Sequence, residues 1–162
     1  LNFTASYTPS TANGDLGGEV GYGVNFSGYE GLSVSYATND VETSVAATSG
    51  DNTVMKASYA FGPVTLAYSV SEEDTDTTSK SGESTSYSVA YSITDEFSIE
   101  YGSETHEQDD KSVDAELDGI SASFTTGGMT ISASMIDGEN LDYSTSSAAD
   151  VEFFSLGASF AF

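Results

Sequence analysis

The chain has 162 residues, enough for one compact domain or one small barrel. Its 26 acidic residues stand against 3 basic ones, all lysine, for a formal charge of -23, which leaves no electrostatic footprint for nucleic-acid phosphates. It has no cysteine, which excludes a disulfide scaffold, a thiolate metal site and a cysteine nucleophile, and no apolar run approaches the roughly 18 residues of a membrane helix.

Ten segments in succession alternate apolar and small or polar residues with a period of two, the signature of strands with two unlike faces. The first holds Leu1, Phe3, Ala5 and Tyr7 on its apolar phase; the second, Val20, Tyr22, Val24 and Phe26; the third, Leu32, Val34 and Tyr36. Met55, Ala57, Tyr59 and Phe61 form the fourth, and Val64, Leu66, Tyr68 and Val70 the fifth. The sixth and seventh are carried by Tyr87, Val89, Tyr91 and Ile93, then by Phe97, Ile99 and Tyr101. Ile120, Ala122 and Phe124 mark the eighth; Met129, Ile131, Ala133 and Met135 the ninth; Phe154, Leu156, Ala158, Phe160 and Phe162 the tenth. No segment has a helical period, so the chain is expected to be all-β and a single domain over 1–162. Because it begins inside an alternating segment, we expect the sequence to lack its true beginning.

The links between segments alternate in length. Tight links are expected at Ser27–Gly31, Gly62–Pro63, Thr94–Glu96 and Thr126–Gly128, with long polar stretches around 9–18, 38–52, 71–85, 102–118 and 136–152. An antiparallel meander then puts every short link at one end and every long one at the other. That layout is expected of a transmembrane antiparallel β-barrel, with short turns on one side of the membrane and long loops on the other. Tyrosine at headgroup depth is the interface girdle of such barrels, and Tyr7, Tyr22, Tyr36, Tyr59, Tyr68, Tyr87, Tyr101 and the terminal Phe162 are assigned to it. The competing reading is a soluble, acidic β-protein whose core holds these tyrosines.

The opposite phase is small and hydrophilic. Lys56, Ser58, Ser69, Ser88, Ser92, Glu100, Ser121, Ser123, Ser132 and Ser155 lie on it and are candidate pore-lining residues. Such side chains are too small to fill a narrow barrel, whose interior must otherwise be packed, and they suit the wall of a wet lumen. Lys56 and Glu100 are expected to be the two charged residues of that face within the strands.

Most other charge is expected in the long loops. Clustered carboxylates there suggest calcium, which takes six to eight oxygen ligands, with Asp109, Asp110 and Asp114 as weak candidates. The segment DDKSVDAELD lacks the glycine and spacing of an EF-hand loop, so solvated acidic loops without any cofactor are the alternative. His106, the only histidine, is expected in an acidic loop, and no matched acid–base motif accompanies it. The chain is not expected to be an enzyme.

FGPVTLAYSV (61–70), TSYSVAYSITDEFSIEYG (85–102) and the closing FSLGASFAF (154–162) resemble the Gram-negative general porins, most closely those of alphaproteobacteria. The resemblance implies residence in the outer membrane as a multi-pass barrel, contact with lipid and lipopolysaccharide, and a homotrimer of sixteen-stranded barrels narrowed by a long third loop. Ten strands would then be the C-terminal portion of such a barrel; otherwise the ten close on themselves. The function expected is passive diffusion of small hydrophilic solutes and ions, with a weak preference for cations drawn by the loop carboxylates. An outer-membrane anchor or adhesin, presenting acidic loops on a blocked barrel, is the alternative.

Overall fold

The computed structural model describes residues 1–10, 17–43, 49–77, 79 and 81–161. Phe162 of the expected girdle, and Lys80, lie outside the described residues. Ten strands follow one another: β1 (Asn2–Thr8), β2 (Glu19–Tyr29), β3 (Leu32–Val41), β4 (Gly50–Phe61), β5 (Val64–Thr75), β6 (Gly82–Ser92), β7 (Phe97–Gln108), β8 (Ala115–Thr126), β9 (Met129–Glu139) and β10 (Val151–Phe160). They form one antiparallel sheet in chain order, so every strand is paired to its sequence neighbours by local hairpins. β1 and β10 lie at opposite ends of that order and are not paired with each other; the ten strands do not close on themselves.

Register sorts the side chains. Ala57 stands opposite Val34 and Tyr68, while Ser58 stands opposite Ser33 and Ala67. Carried across the sheet, this puts the apolar phase of every strand on one face and the small phase on the other, as alternation requires. Among the described residues, no second layer covers either face. The only apolar residues buried among those described are Ala115 and Ala149, and Leu66, Tyr68, Tyr87, Ile120, Phe154 and Leu156 are all exposed on the apolar face. A soluble protein would bury that face against another element; no described residue does so, which weighs against the soluble-core reading. A hydrocarbon solvent is the environment that stabilises it, provided the backbone groups are satisfied internally, and the continuous ladders between neighbouring strands satisfy them everywhere except along the free edges of β1 and β10.

All four tight links fall at one end of the sheet. Gly127 and Gly128 join Thr126 to Met129 with positive φ at both central positions (54° and 82°), a pair of conformations that glycine adopts without steric cost. Gly62 (φ 56°) precedes Pro63 between Phe61 and Val64. The β2–β3 link is tighter than the sequence suggests: Tyr29 pairs with Leu32 after a bulge, so only Glu30 and Gly31 turn. Between β6 and β7, Thr94 Oγ1 accepts from the backbone N–H of Phe97 at 3.0 Å.

At the other end the strands run much further than expected, and the loops are correspondingly short. Only 76–81 and 109–114 separate β5 from β6 and β7 from β8. Glu72, Glu73, Asp74, Glu83, Glu104, Glu107, Glu116 and Asp118 therefore sit in strands, not loops. Pairing continues past the last apolar residue because antiparallel hydrogen bonds do not depend on side-chain hydrophobicity. Hydroxyls finish these hairpins: Ser81 Oγ accepts from the Thr75 N–H at 2.9 Å, and Gln108 Nε2 donates to the Ser79 carbonyl at 2.6 Å.

Candidate functional site

The small face is concave. Residues of seven successive strands, among them Ser33, Lys56, Ser69, Ser88, Glu104 and Ile136, line one hollow of about 690 Å³. A flat sheet cannot enclose such a space, so the small side chains face the inside of a curved wall and the apolar ones its outside. Lys56, Ser58, Ser69 and Ser88 of the pore-lining candidates line this hollow directly. Glu100, Ser121, Ser123, Ser132 and Ser155 share their phase, since Glu100 pairs with Ser121, Ser132 with Ser123 and Ser155 with Ser134; Ser92, opposite Ser98, lies on it near the tight-turn end.

Hydroxyls hold that wall together across the strands. Ser69 and Ser86 are 2.8 Å apart, Ser134 and Ser155 2.7 Å, and Thr125 and Thr130 3.0 Å. Each such pair stabilises modestly, by about 0.2–1 kcal/mol, and leaves the inner surface hydrophilic without adding bulk.

The charge of the inner face differs from expectation. Because β2, β5 and β7 are longer than the alternation suggested, Glu19, Glu73 and Glu104 join Glu100 and Lys56 there. His106 does not lie in a loop: it sits in β7 on the same face. Its Nδ1 is 2.7 Å from Ser84 Oγ and its Nε2 2.8 Å from Glu104 Oε1, so the imidazole bridges two strands of the wall. Lys56, Ser69, Ser86 and Glu104 lie in one register row. Three interstrand steps separate Lys56 from Glu104, about 14 Å, so the two opposite charges face the hollow from different sides and exceed a Debye length at physiological salt.

The outer face is banded. A row of aromatics near the tight turns includes Tyr29, Tyr59 and Phe61, with ring centroids 6.4 Å apart in each neighbouring pair. A second row toward the long loops holds Tyr7, Tyr22, Tyr36, Tyr68, Tyr87 and Tyr101, all exposed. Tyr59 of the expected girdle thus belongs to the turn-side row and the other tyrosines to the loop-side row. The Tyr101 hydroxyl donates to Asp118 Oδ1 at 2.6 Å, at the step where the apolar belt ends.

Beyond that step runs a collar of carboxylates, still on the outer phase and in direct cross-strand register. Asp40 opposes Asp51, which opposes Asp74; Glu72 opposes Glu83, which opposes Glu107. Glu116 faces Glu139, and Asp137 is flanked by Asp118 and Glu152. Like charges directly opposite destabilise a sheet, most of all at low ionic strength. The calcium candidates Asp109, Asp110 and Asp114 are exposed on the 109–114 connection, where Lys111 Nζ is 3.5 Å from Asp110 Oδ2. Among the described residues, no group of three or more His, Asp or Glu side chains is placed to hold a metal ion.

A family model described as Gram-negative porin matches residues 1–162. No curated protein matches the chain. Among solved structures, a mutant of the Rh. blastica porin superposes with a TM-score of 0.66 at 16% identity, over 94% of this chain and 48% of that one. At that identity the likeness is one of fold, and the chain spans about half the length of the solved porin it matches.

Proposed function

The chain belongs to the Gram-negative porin family, and from that premise we propose that it forms the wall of a passive diffusion channel for small hydrophilic solutes, with a weak preference for cations. Its place is the outer membrane, as a β-barrel chain and not an enzyme. The observation that carries the proposed mechanism is the unfilled concave face: hydroxyls and glycines line a hollow of about 690 Å³ where a closed structural barrel would need packed side chains.

Solutes cross by diffusion through water bounded by this face, and the serine hydroxyls exchange hydrogen bonds with them at little net cost, as water does. No cofactor takes part. Selectivity arises from the balance of the inner charges, Glu19, Glu73, Glu100 and Glu104 against Lys56. Each acts over about 8 Å at 0.15 M salt, far enough to bias an ion near the wall and too short to exclude it. Lipid meets the apolar belt and lipopolysaccharide the acidic collar, with calcium at Asp109, Asp110 and Asp114 only as a loosely held counter-ion. The assembly is a homotrimer.

Salt-gradient reversal potentials of the full-length protein in a planar bilayer test this. A reversal potential favouring potassium over chloride is expected; one favouring chloride would refute the charge argument. Insertion without any conductance would instead support an anchor or adhesin with a blocked barrel.

A further inference from the structure

The asparagines of the sheet are gathered in one place. The ten strands hold four, Asn2, Asn25, Asn39 and Asn52, one on each of β1 to β4. All four take the inner phase, and register joins them in two directly opposed pairs, Asn2 with Asn25 and Asn39 with Asn52. Elsewhere that wall is built mainly of serine, whose hydroxyls close on one another as Ser69 does on Ser86. The amides do not close in this way. Asn39 Nδ2 donates to Glu19 Oε1 at 3.0 Å, which fixes its side chain and leaves its amide oxygen without a partner among the described residues. Asn2, Asn25 and Asn52 make no side-chain hydrogen bond to any described residue.

Between the two pairs the wall is cut back to its backbone. Gly21 and Gly23 hold the inner phase of β2, opposite Ser6 and Thr4. A Cβ would lie 2.7 Å from Ser6 Oγ at the first and 2.6 Å from Thr4 Oγ1 at the second. Those hydroxyls therefore lean across β2 in space that side chains would otherwise take. Ala37, opposite Gly23, and Val54, opposite Ala37, continue the floor without polar side chains. A hollow of about 280 Å³ opens here, lined by Thr4, Ser6, Gly21, Asn39, Asn52 and Val54 among others. Its volume lies near the lower end of the range for small-molecule pockets.

The hollow is one end of a longer trough. Asn39 is level with Gly21, and four residues of strand rise carry β2 from there to Asn25, about 14 Å. Charge sits only at the margins: Glu19 is engaged by Asn39, and Lys56 lies two strands beyond Asn25 in the same register row.

We propose that this trough binds a short neutral saccharide, laid along β2 with an amide pair at each end. A side-chain amide offers a donor and an acceptor side by side, which matches two adjacent hydroxyls of a sugar ring. The glycine backbone, Ala37 and Val54 take the apolar C–H face of the ring. Each hydrogen bond replaces one to water at small net gain, so binding is weak and reversible, as passage requires. The proposal rests on the diffusion-channel reading and deepens it, because one class of solute is held on the wall as it crosses.

The test titrates maltotriose and cellotriose against the ion current of the full-length protein in a planar bilayer, with a polyethylene glycol of similar size as the non-saccharide control. A saturable fall in current is expected with a trisaccharide and not with the polymer. Replacing both amides of one pair, Asn39→Ala with Asn52→Ala, is expected to raise the half-saturating concentration about tenfold. Thr53→Ala, on the outer phase of the same strand, is expected to leave it unchanged. Saturation-transfer NMR on the protein in detergent micelles reads sugar contact without any current. Transfer to the trisaccharide is expected in wild type and should be lost in Gly23→Val, where a β-branched side chain suited to a strand fills the floor. Current that never saturates, with no transfer to either sugar, would overturn the site and leave the channel reading intact. Wild-type affinity in both the double variant and Gly23→Val would overturn the site as well. Transfer that Gly23→Val abolishes, from protein that passes no current, would support the site and overturn the channel reading.

Discussion

Lys56 is the lysine that lines the hollow of the inner wall, and neutralising it should make the channel more cation-selective. Taken as a sphere, the 690 Å³ hollow has a radius of about 5.5 Å, so an ion at its centre passes about 6 Å from the Lys56 charge. In water two unit charges at that distance interact by about 0.7 kcal/mol, and a Debye length of about 8 Å at 0.15 M reduces this to roughly 0.3 kcal/mol. Removing that term enriches cations and depletes chloride by a little under twofold each, so the potassium-to-chloride permeability ratio of Lys56→Gln should rise about threefold. Glu104→Gln, on the far side of the same hollow, should lower the ratio by a similar factor. At 1 M salt the Debye length falls to about 3 Å and both effects should nearly vanish. Reversal potentials of the two variants across a salt gradient give the ratios directly. If Lys56→Gln leaves the ratio unchanged, or moves it toward chloride, the inner wall is not the surface that permeating ions meet.

Four further outcomes follow from the rest of the structure. Leu66→Arg puts a charge in the middle of the apolar belt and should destabilise the membrane-folded state by about 2–4 kcal/mol, read as a lower urea midpoint in lipid vesicles. Asp137→Asn relieves repulsion from both Asp118 and Glu152; it should raise thermal stability by several tenths to about 1 kcal/mol at low ionic strength, a gain that added salt should erase. Gly31→Ala should destabilise by more than 1 kcal/mol, because φ is 77° and the new Cβ would fall 2.2 Å from the Ala60 carbonyl oxygen; the midpoint of unfolding in detergent reports it. Tyr101→Phe removes the donor to Asp118 and, because that bond is exposed, should lower the midpoint only slightly in the same assay.

The strand count, the sorting of links to two ends and the identity of both faces were legible in the sequence, for one physical reason. Inside the belt each outward residue must be apolar, so Met55, Ala57, Tyr59 and Phe61 or Phe154, Leu156, Ala158 and Phe160 announce the period unmistakably. Past the belt that constraint lapses. Asp51, Glu72, Glu83, Glu107 and Asp137 keep the outward phase and the backbone pairing, but as charged residues they read as loop. Alternation alone therefore ends the strands early and places the inner-phase residues Glu73, Glu104 and His106 in loops, and it cannot show the acidic collar, since only register reveals which carboxylates stand opposite one another. The apolar interruption of the inner face is itself legible in the sequence: Leu117 and Ile136 break the run of small residues on their phase, and Phe153 sits beside Phe154, so one of the two faces inward.

The most direct test of the central claim is single-channel recording of the full-length protein in a planar bilayer at 0.15 M salt. The wet inner wall predicts stable open steps whose reversal potential in a salt gradient favours potassium. Protein that is demonstrably inserted yet produces no steps would contradict it.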